Sequence, residues 1–152
     1  MMLQLLILAM LNAPVASTGL SAPATSTLTL PPAPAGSPAG IIDAQIAAYN
    51  SGDVETFAAF YADDVEFFDL GPGNPTTMRG KAALVARYKP ILERYRPRTR
   101  LVNRIVDGRF VIDKEQILAG EHSNNGAVIY EVVDGKIARV WFTPAVLRLL
   151  PR

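Results

Sequence analysis

The chain has no cysteine and only one histidine, His122. Disulfides, thiolate nucleophiles and cysteine metal centres are therefore excluded. So is a multi-histidine metal site within one chain. There is no surplus of charge either. The net charge is +1, so bulk electrostatics does not draw the protein to nucleic acid or to an anionic membrane. A bilayer-spanning helix needs about 20 apolar residues, and the apolar run MMLQLLILAMLN at 1–12 falls short of that. Small residues follow it, in Ala13-Pro14-Val15-Ala16 and Ser21-Ala22-Pro23-Ala24. This order reads as a secretory signal peptide over 1–24, although no Lys or Arg precedes the run. It predicts a periplasmic or secreted protein with no stable membrane insertion. Residues 25–37 are rich in Pro, Ala, Ser and Thr, a composition that cannot bury enough apolar surface to offset its ordering entropy. They are expected to be a disordered leader.

What remains, 38–145, is enough for one domain, with 146–152 as a tail. Its charges are segregated. Seven of the fourteen acids lie between Asp43 and Asp69, and ten of the fifteen cations between Arg79 and Arg109. Ser37-Pro38 supplies an N-cap and a first helical position. Ile42, Ile46 and Tyr49 then recur at helical spacing, which predicts a helix over 38–50. Asp53 caps a second short helix, and Tyr61-Ala62-Asp63-Asp64 reads as its end. Val65 to Leu70 is a strand and Gly71 to Thr77 a turn-rich stretch. Lys81 to Tyr95 is a third helix, which Pro90 should kink or break. Four strands follow, at 99–106, 109–118, 127–133 and 136–142. Asp107-Gly108 and Asp134-Gly135 mark two hairpins, and the stretch 121–126 joins them as a loop. The pattern is α+β, with three N-terminal helices packed on a curved, mostly antiparallel sheet.

Two constellations carry candidate chemistry. Asp69 sits near the end of a short apolar strand and shares a face with Val65 and Phe67, because side chains alternate along a strand. Apolar surroundings raise a carboxyl pKa and make it a better base near neutral pH; the competing reading is that Asp69 starts the Gly71-Pro72-Gly73 turn. The second constellation is the first hairpin. With Asp107-Gly108 as its turn, Arg100 faces Glu115, Val102 faces Asp113, and Arg104 lies diagonal to Asp113. The opposite face carries Leu101, Asn103, Ile105, Phe110 and Ile112. The first expectation is that the charged face meets solvent in weak pairs. The alternative is that Arg104, Asp113 and Glu115 line a cavity while the apolar face makes a dimer. In the second hairpin the expected turn groups Ile129 with Val140 and Phe142, and Val128 with Tyr130 and Trp141. Tyr130 and Trp141 could stack a ligand, though core or interface is the plainer role for both. His122 is expected at the surface.

The stretches YNSGDVETFAAFYADDVEFFD (49–69), MRGKAALVARY (78–88) and YEVVDGKIARVWFTP (130–144) resemble the SnoaL-like members of the nuclear transport factor 2 (NTF2) superfamily. That superfamily also holds ketosteroid isomerase and limonene epoxide hydrolase. The resemblance implies a cone-shaped fold with a ligand cavity. It places Asp69 where ketosteroid isomerase has its base. The isomerase's oxyanion donors do not carry over, since their places fall on Gln45 and Ile129. The hydrolase's arginine and aspartate fall on Glu115 and Val140, so that chemistry does not carry over either. Two functions stay open. One is a cofactor-free isomerase, cyclase or hydrolase with Asp69 as catalytic base. The other is a module that binds a small hydrophobic molecule or a partner domain without chemistry. The expected ligand-binding residues are Gln45, Phe67, Asn103, Arg104, Asp113, Glu115, Tyr130 and Trp141. No metal or other cofactor and no nucleic-acid partner is expected, and the protein is expected to be a homodimer.

Overall fold

The computed structural model describes residues 32–144 and the backbone of 146–149; the expected signal peptide lies outside the described residues. Ser37 caps α1 (Pro38–Ser51) by accepting from the Gly40 amide at 3.1 Å. Gly52 ends the helix with φ +83°, a left-handed value that favours glycine. Residues 32–37, at the end of the expected leader, are described here and include a turn in which the Ser37 amide donates to Pro34 O at 3.1 Å. Asp53 caps α2 (Val54–Ala58) by accepting from the amides of Glu55 and Thr56. α3 spans Lys81–Tyr95 without a break at Pro90. Proline removes the bond to the carbonyl four residues back; here that residue is Ala86, and both it and Pro90 are exposed, so water can serve the freed carbonyl.

The strands are β1 (Tyr61–Asp69), β2 (Thr76–Arg79), β3 (Arg98–Asp107), β4 (Phe110–Ala119), β5 (His122–Val133), β6 (Lys136–Phe142) and β7 (Val146–Leu149). They form one sheet in the order β2-β1-β6-β5-β4-β3, with β7 added to the first residues of β5. All pairs are antiparallel except β1 with β6. The three helices pack on one face. Ile42, Phe57, Leu84 and Leu92 meet Val65, Phe67, Val111, Ile137 and Val140 in the core.

Four local expectations are corrected. Tyr61 to Asp64 belongs to β1, not to a helix end; Asp63 is exposed there and pairs with Lys81 at 2.6 Å. Part of the turn-rich stretch is β2, whose Met78 pairs beside Phe67. The expected loop 121–126 is mostly strand, because β5 starts at His122 and pairs with β4 from His122 to Glu131. Both hairpin registers also differ. Asp134 and Gly135 do form the second turn, with φ +50° and +74°, as a type I′ turn requires. But Asp107 ends β3, and Gly108-Arg109 close the first turn. One-residue bulges fall at Val102 and Ala138. A one-residue slip exchanges the two faces of a strand. Tyr130, Val140 and Phe142 therefore point towards the helices, while Ile129 and Trp141 share the outer face.

Candidate functional site

The cone encloses a cavity between helices and sheet, with a volume of about 50 Å³. That is several times the roughly 10–15 Å³ needed to hold one water. One wall is aromatic and aliphatic: Ile46, Tyr49, Phe57, Tyr88 and Ile91 from the helices, with Tyr61 from the start of β1. The rings form a continuous chain, with centroid distances of 5.5 Å for Tyr49–Phe57 and 5.1 Å for both Phe57–Tyr61 and Phe57–Tyr88. Besides the hydroxyls of Tyr49, Tyr61 and Tyr88, the polar groups are Gln45 from α1, Thr99 from β3, Glu115 from β4, and His122, Asn124 and Tyr130 from β5. Alternation along β5 turns His122, Asn124 and Tyr130 to the same side.

Glu115 is buried on this wall, and the Tyr130 hydroxyl donates to its Oε1 at 2.7 Å. Burial pushes the Glu115 carboxyl up to about 7; the Tyr130 hydrogen bond opposes the shift and the nearby Asp113 charge adds to it. Burial, with the Glu115 charge beside it, also pushes the Tyr130 phenol well above its ordinary value, so Tyr130 remains a donor at any neutral pH. The Glu115 carboxyl is thus half-ionised near neutrality inside an apolar cavity. A carboxyl tuned this way can both accept and return a proton. Two of the lining residues, Gln45 and Asn124, each have a side-chain oxygen, Oε1 and Oδ1, buried without a hydrogen-bond partner.

Two residues along β4, Asp113 is fully buried but differently engaged. Arg104 grips it with both prongs, Nε to Oδ1 and Nη2 to Oδ2, each at 2.7 Å. The same guanidinium donates to Asp43 Oδ1 at 2.6 Å and to Ala39 O at 3.3 Å on α1. Burial opposes the Arg104 charge, but Asp113 and Asp43 more than offset it and hold the guanidinium above its ordinary pKa. Burial likewise pushes the Asp113 carboxyl up, and the guanidinium pulls part of that back. Asp113 and Arg104 are a clamp between hairpin and helix and do not line the cavity. The charged face of the hairpin thus turns towards the helices, against the first expectation. The pairing also differs, for Arg104 lies directly opposite Asp113, and Glu115 opposite Leu101 rather than Arg100.

The other expected site residues divide. Gln45, Glu115 and Tyr130 come together in the cavity. Phe67 sits behind the wall, packed on Tyr61 and on Phe142 at 5.8 and 6.1 Å. Trp141 is on the outer face, stacked on Phe68 at 5.4 Å, and Asn103 is exposed. Asp69 is half-buried at the end of β1, outside the cavity lining, and its amide donates to Pro75 O at 3.2 Å. His122, expected at the surface, is half-buried and lines the cavity. Asn124 was hidden by the reading of 121–126 as a loop. The period-two run back from Tyr130 through Val128 and Gly126 was the signal that could have found both.

Three N-terminal helices over a curved sheet with a cavity between them define the NTF2-like fold, which recurs in many solved structures. The chain belongs to the SnoaL-like domain family, whose model matches residues 42–140. A polyketide-cyclase candidate of Xanthomonas campestris pv. campestris is 25% identical with a TM-score of 0.60, over 70% of this chain and 88% of its own. A ketosteroid-isomerase candidate of Kribbella flavida is 22% identical with a TM-score of 0.56, over 74% and 79%. An LEH-like epoxide hydrolase of M. tuberculosis is 19% identical with a TM-score of 0.57, over 68% and 78%. No curated protein matches the chain. Among the described residues, no helix is long and apolar enough to cross a membrane.

Proposed function

We propose that this protein takes a small, largely apolar molecule into the cone cavity and that Glu115 exchanges a proton with it, in an isomerisation, cyclisation or hydrolysis without a cofactor. The observation that carries the reading is the buried Glu115 carboxyl, tied at one oxygen by Tyr130 and surrounded by aromatic rings. Tyr130 fixes the carboxyl's orientation, which leaves Oε2 as the atom that meets the ligand. The aromatic wall supplies apolar contact and keeps bulk water from levelling the carboxyl pKa. Structural relatives described as a cyclase candidate, an isomerase candidate and a hydrolase support the range of reactions. Asp69, the base implied by the resemblance, becomes the second candidate because it lies outside the cavity lining.

Carbon-13 NMR of the Glu115 carboxyl tests the reading. A midpoint near 7 that moves when a small cyclic ligand is added is the expected result. A midpoint near 4, or one indifferent to any cavity ligand, removes Glu115 from the role and returns the question to Asp69.

The homodimer is proposed on separate grounds. Register aligns Ile105, Ile112, Ile129, Trp141 and Phe68 in one row across five strands of the outer face. Ile105 is 60% exposed. A second copy laid over this row would cover it. Ile105→Glu is expected to convert a dimer to a monomer in light scattering, and a monomeric wild-type protein ends the idea. Export, inferred from residues 1–24, is tested by the mass of the native protein: an intact Met1 in a cytoplasmic fraction refutes it.

A further inference from the structure

Among the described residues, the buried side-chain polar atoms left without a partner are two, Gln45 Oε1 and Asn124 Oδ1. Both residues are only 4% exposed, and both line the same cavity. They come from opposite walls, one from α1 and the other from β5. Both atoms are carbonyl oxygens, which accept hydrogen bonds and cannot donate them. The Glu115 carboxyl stands on the same wall as Asn124, with one oxygen already holding the Tyr130 hydroxyl. Among the described residues no lysine or arginine lines the cavity, and the hydroxyls of Tyr49, Tyr61 and Tyr88 are neutral groups of its wall. A buried acceptor without a partner is costly, because its desolvation is not repaid. These oxygens therefore mark where a ligand's own N–H or O–H groups belong.

We infer that the ligand class is a compact apolar molecule bearing hydroxyl or amine donors, and that the cavity selects it over the matching ketone. The inference rests on the reading of this cavity as a small-molecule site and adds its selectivity. A hydroxyl can donate to Gln45 or Asn124 while its carbon body lies on Tyr49, Phe57 and Tyr88. A ketone of the same shape brings only another acceptor and leaves both oxygens unpaired. Sites built to hydrogen-bond a substrate O–H or N–H reject analogues lacking it far more strongly than apolar pockets reject a missing methylene.

The test is a matched series of probes on the whole protein: cyclopentanol, cyclopentylamine and cyclopentanone, titrated by NMR with the cavity residues' shifts as readout. The alcohol or the amine is expected to bind about tenfold or more tightly than the ketone, since one unpaired buried acceptor costs about that much. The alcohol and amine arms separate a neutral donor from a cationic one. Gln45→Met combined with Asn124→Val is expected to bring the ketone to within about twofold of the alcohol. Equal binding of ketone and alcohol to the wild-type protein overturns the selectivity while leaving the cavity as the binding site. Absence of binding by all three overturns both the selectivity and the reading beneath it. The wild-type comparison does not depend on any variant folding.

Discussion

Asp113 and Glu115 stand two residues apart on the same face of one strand, and both are buried. Asp113 meets a bidentate guanidinium anchored in turn to Asp43 and Ala39 of α1. Glu115 meets one phenol and the cavity. The first is a joint between hairpin and helix, with its charge matched by a permanent cation. The second has no cation bonded to it; the Tyr130 hydrogen bond and the more distant Arg104 charge offset only part of the effect of burial, and its carboxyl rises to about 7. One side-chain length along a strand separates a carboxylate that holds the fold from a carboxyl free to move a proton. What differs is the partner rather than the burial.

The largest expected effect strikes the clamp. Arg104→Met leaves Asp113 buried and uncompensated, and losing one partner of a buried pair costs about 3–5 kcal/mol. Urea denaturation should show that loss. Replacing both partners, as in Arg104→Met with Asp113→Leu, should recover most of it, because a well-packed apolar pair is often neutral or stabilising. If the double variant is as unstable as the single, the clamp does more than neutralise charge.

Next comes the pH dependence of stability. The raised carboxyl of Glu115 keeps its proton in the native state between the ordinary glutamate value of 4.5 and about 7, while the unfolded chain has lost it. Native protein then binds more protons, so stability falls as pH rises through that window and levels off above it. At 1.36 kcal/mol per pKa unit the whole fall is roughly 3 kcal/mol. Glu115→Gln should flatten this part of the curve, read by thermal unfolding at pH 4 to 8. A wild-type curve parallel to that of the variant means that Glu115 titrates normally and the contrast with Asp113 collapses.

Tyr130→Phe is smaller. It removes the hydrogen bond that opposes the shift, so the Glu115 midpoint should rise further, by NMR titration. A downward movement contradicts the assigned direction. The smallest effect concerns the third carboxylate. Asp69→Asn should change the affinity of a cavity ligand less than about twofold, since Asp69 is not in the lining. A large loss there would shift the chemistry from β4 to the end of β1.

Local pattern carried much of this. Caps at Ser37 and Asp53, the left-handed stop at Gly52, the Asp134-Gly135 turn and the alternation of the strands are set by neighbours within a few residues. Reading them gave three helices and a curved sheet, and Gln45, Glu115 and Tyr130 among the candidates. Which face of each strand looks inward was not legible, because it depends on register. Moving the first turn from Asp107-Gly108 to Gly108-Arg109 and inserting bulges at Val102 and Ala138 each shift pairing by one residue. Those choices are made by packing against the helices. Arg104 reaching Asp43 holds the first hairpin in place, and Val140 and Phe142 face the cone only past the second bulge. The pairing that carries β5 back to His122 is likewise a contact between strands, invisible in Ser123-Asn124-Asn125-Gly126 read alone. The sequence by itself determined the elements and the chemistry available. Only tertiary contacts decided that Asp113 would be locked to a cation while Glu115, Gln45 and Asn124 would share a cavity, because burial and partner are properties of the packed structure and not of the chain.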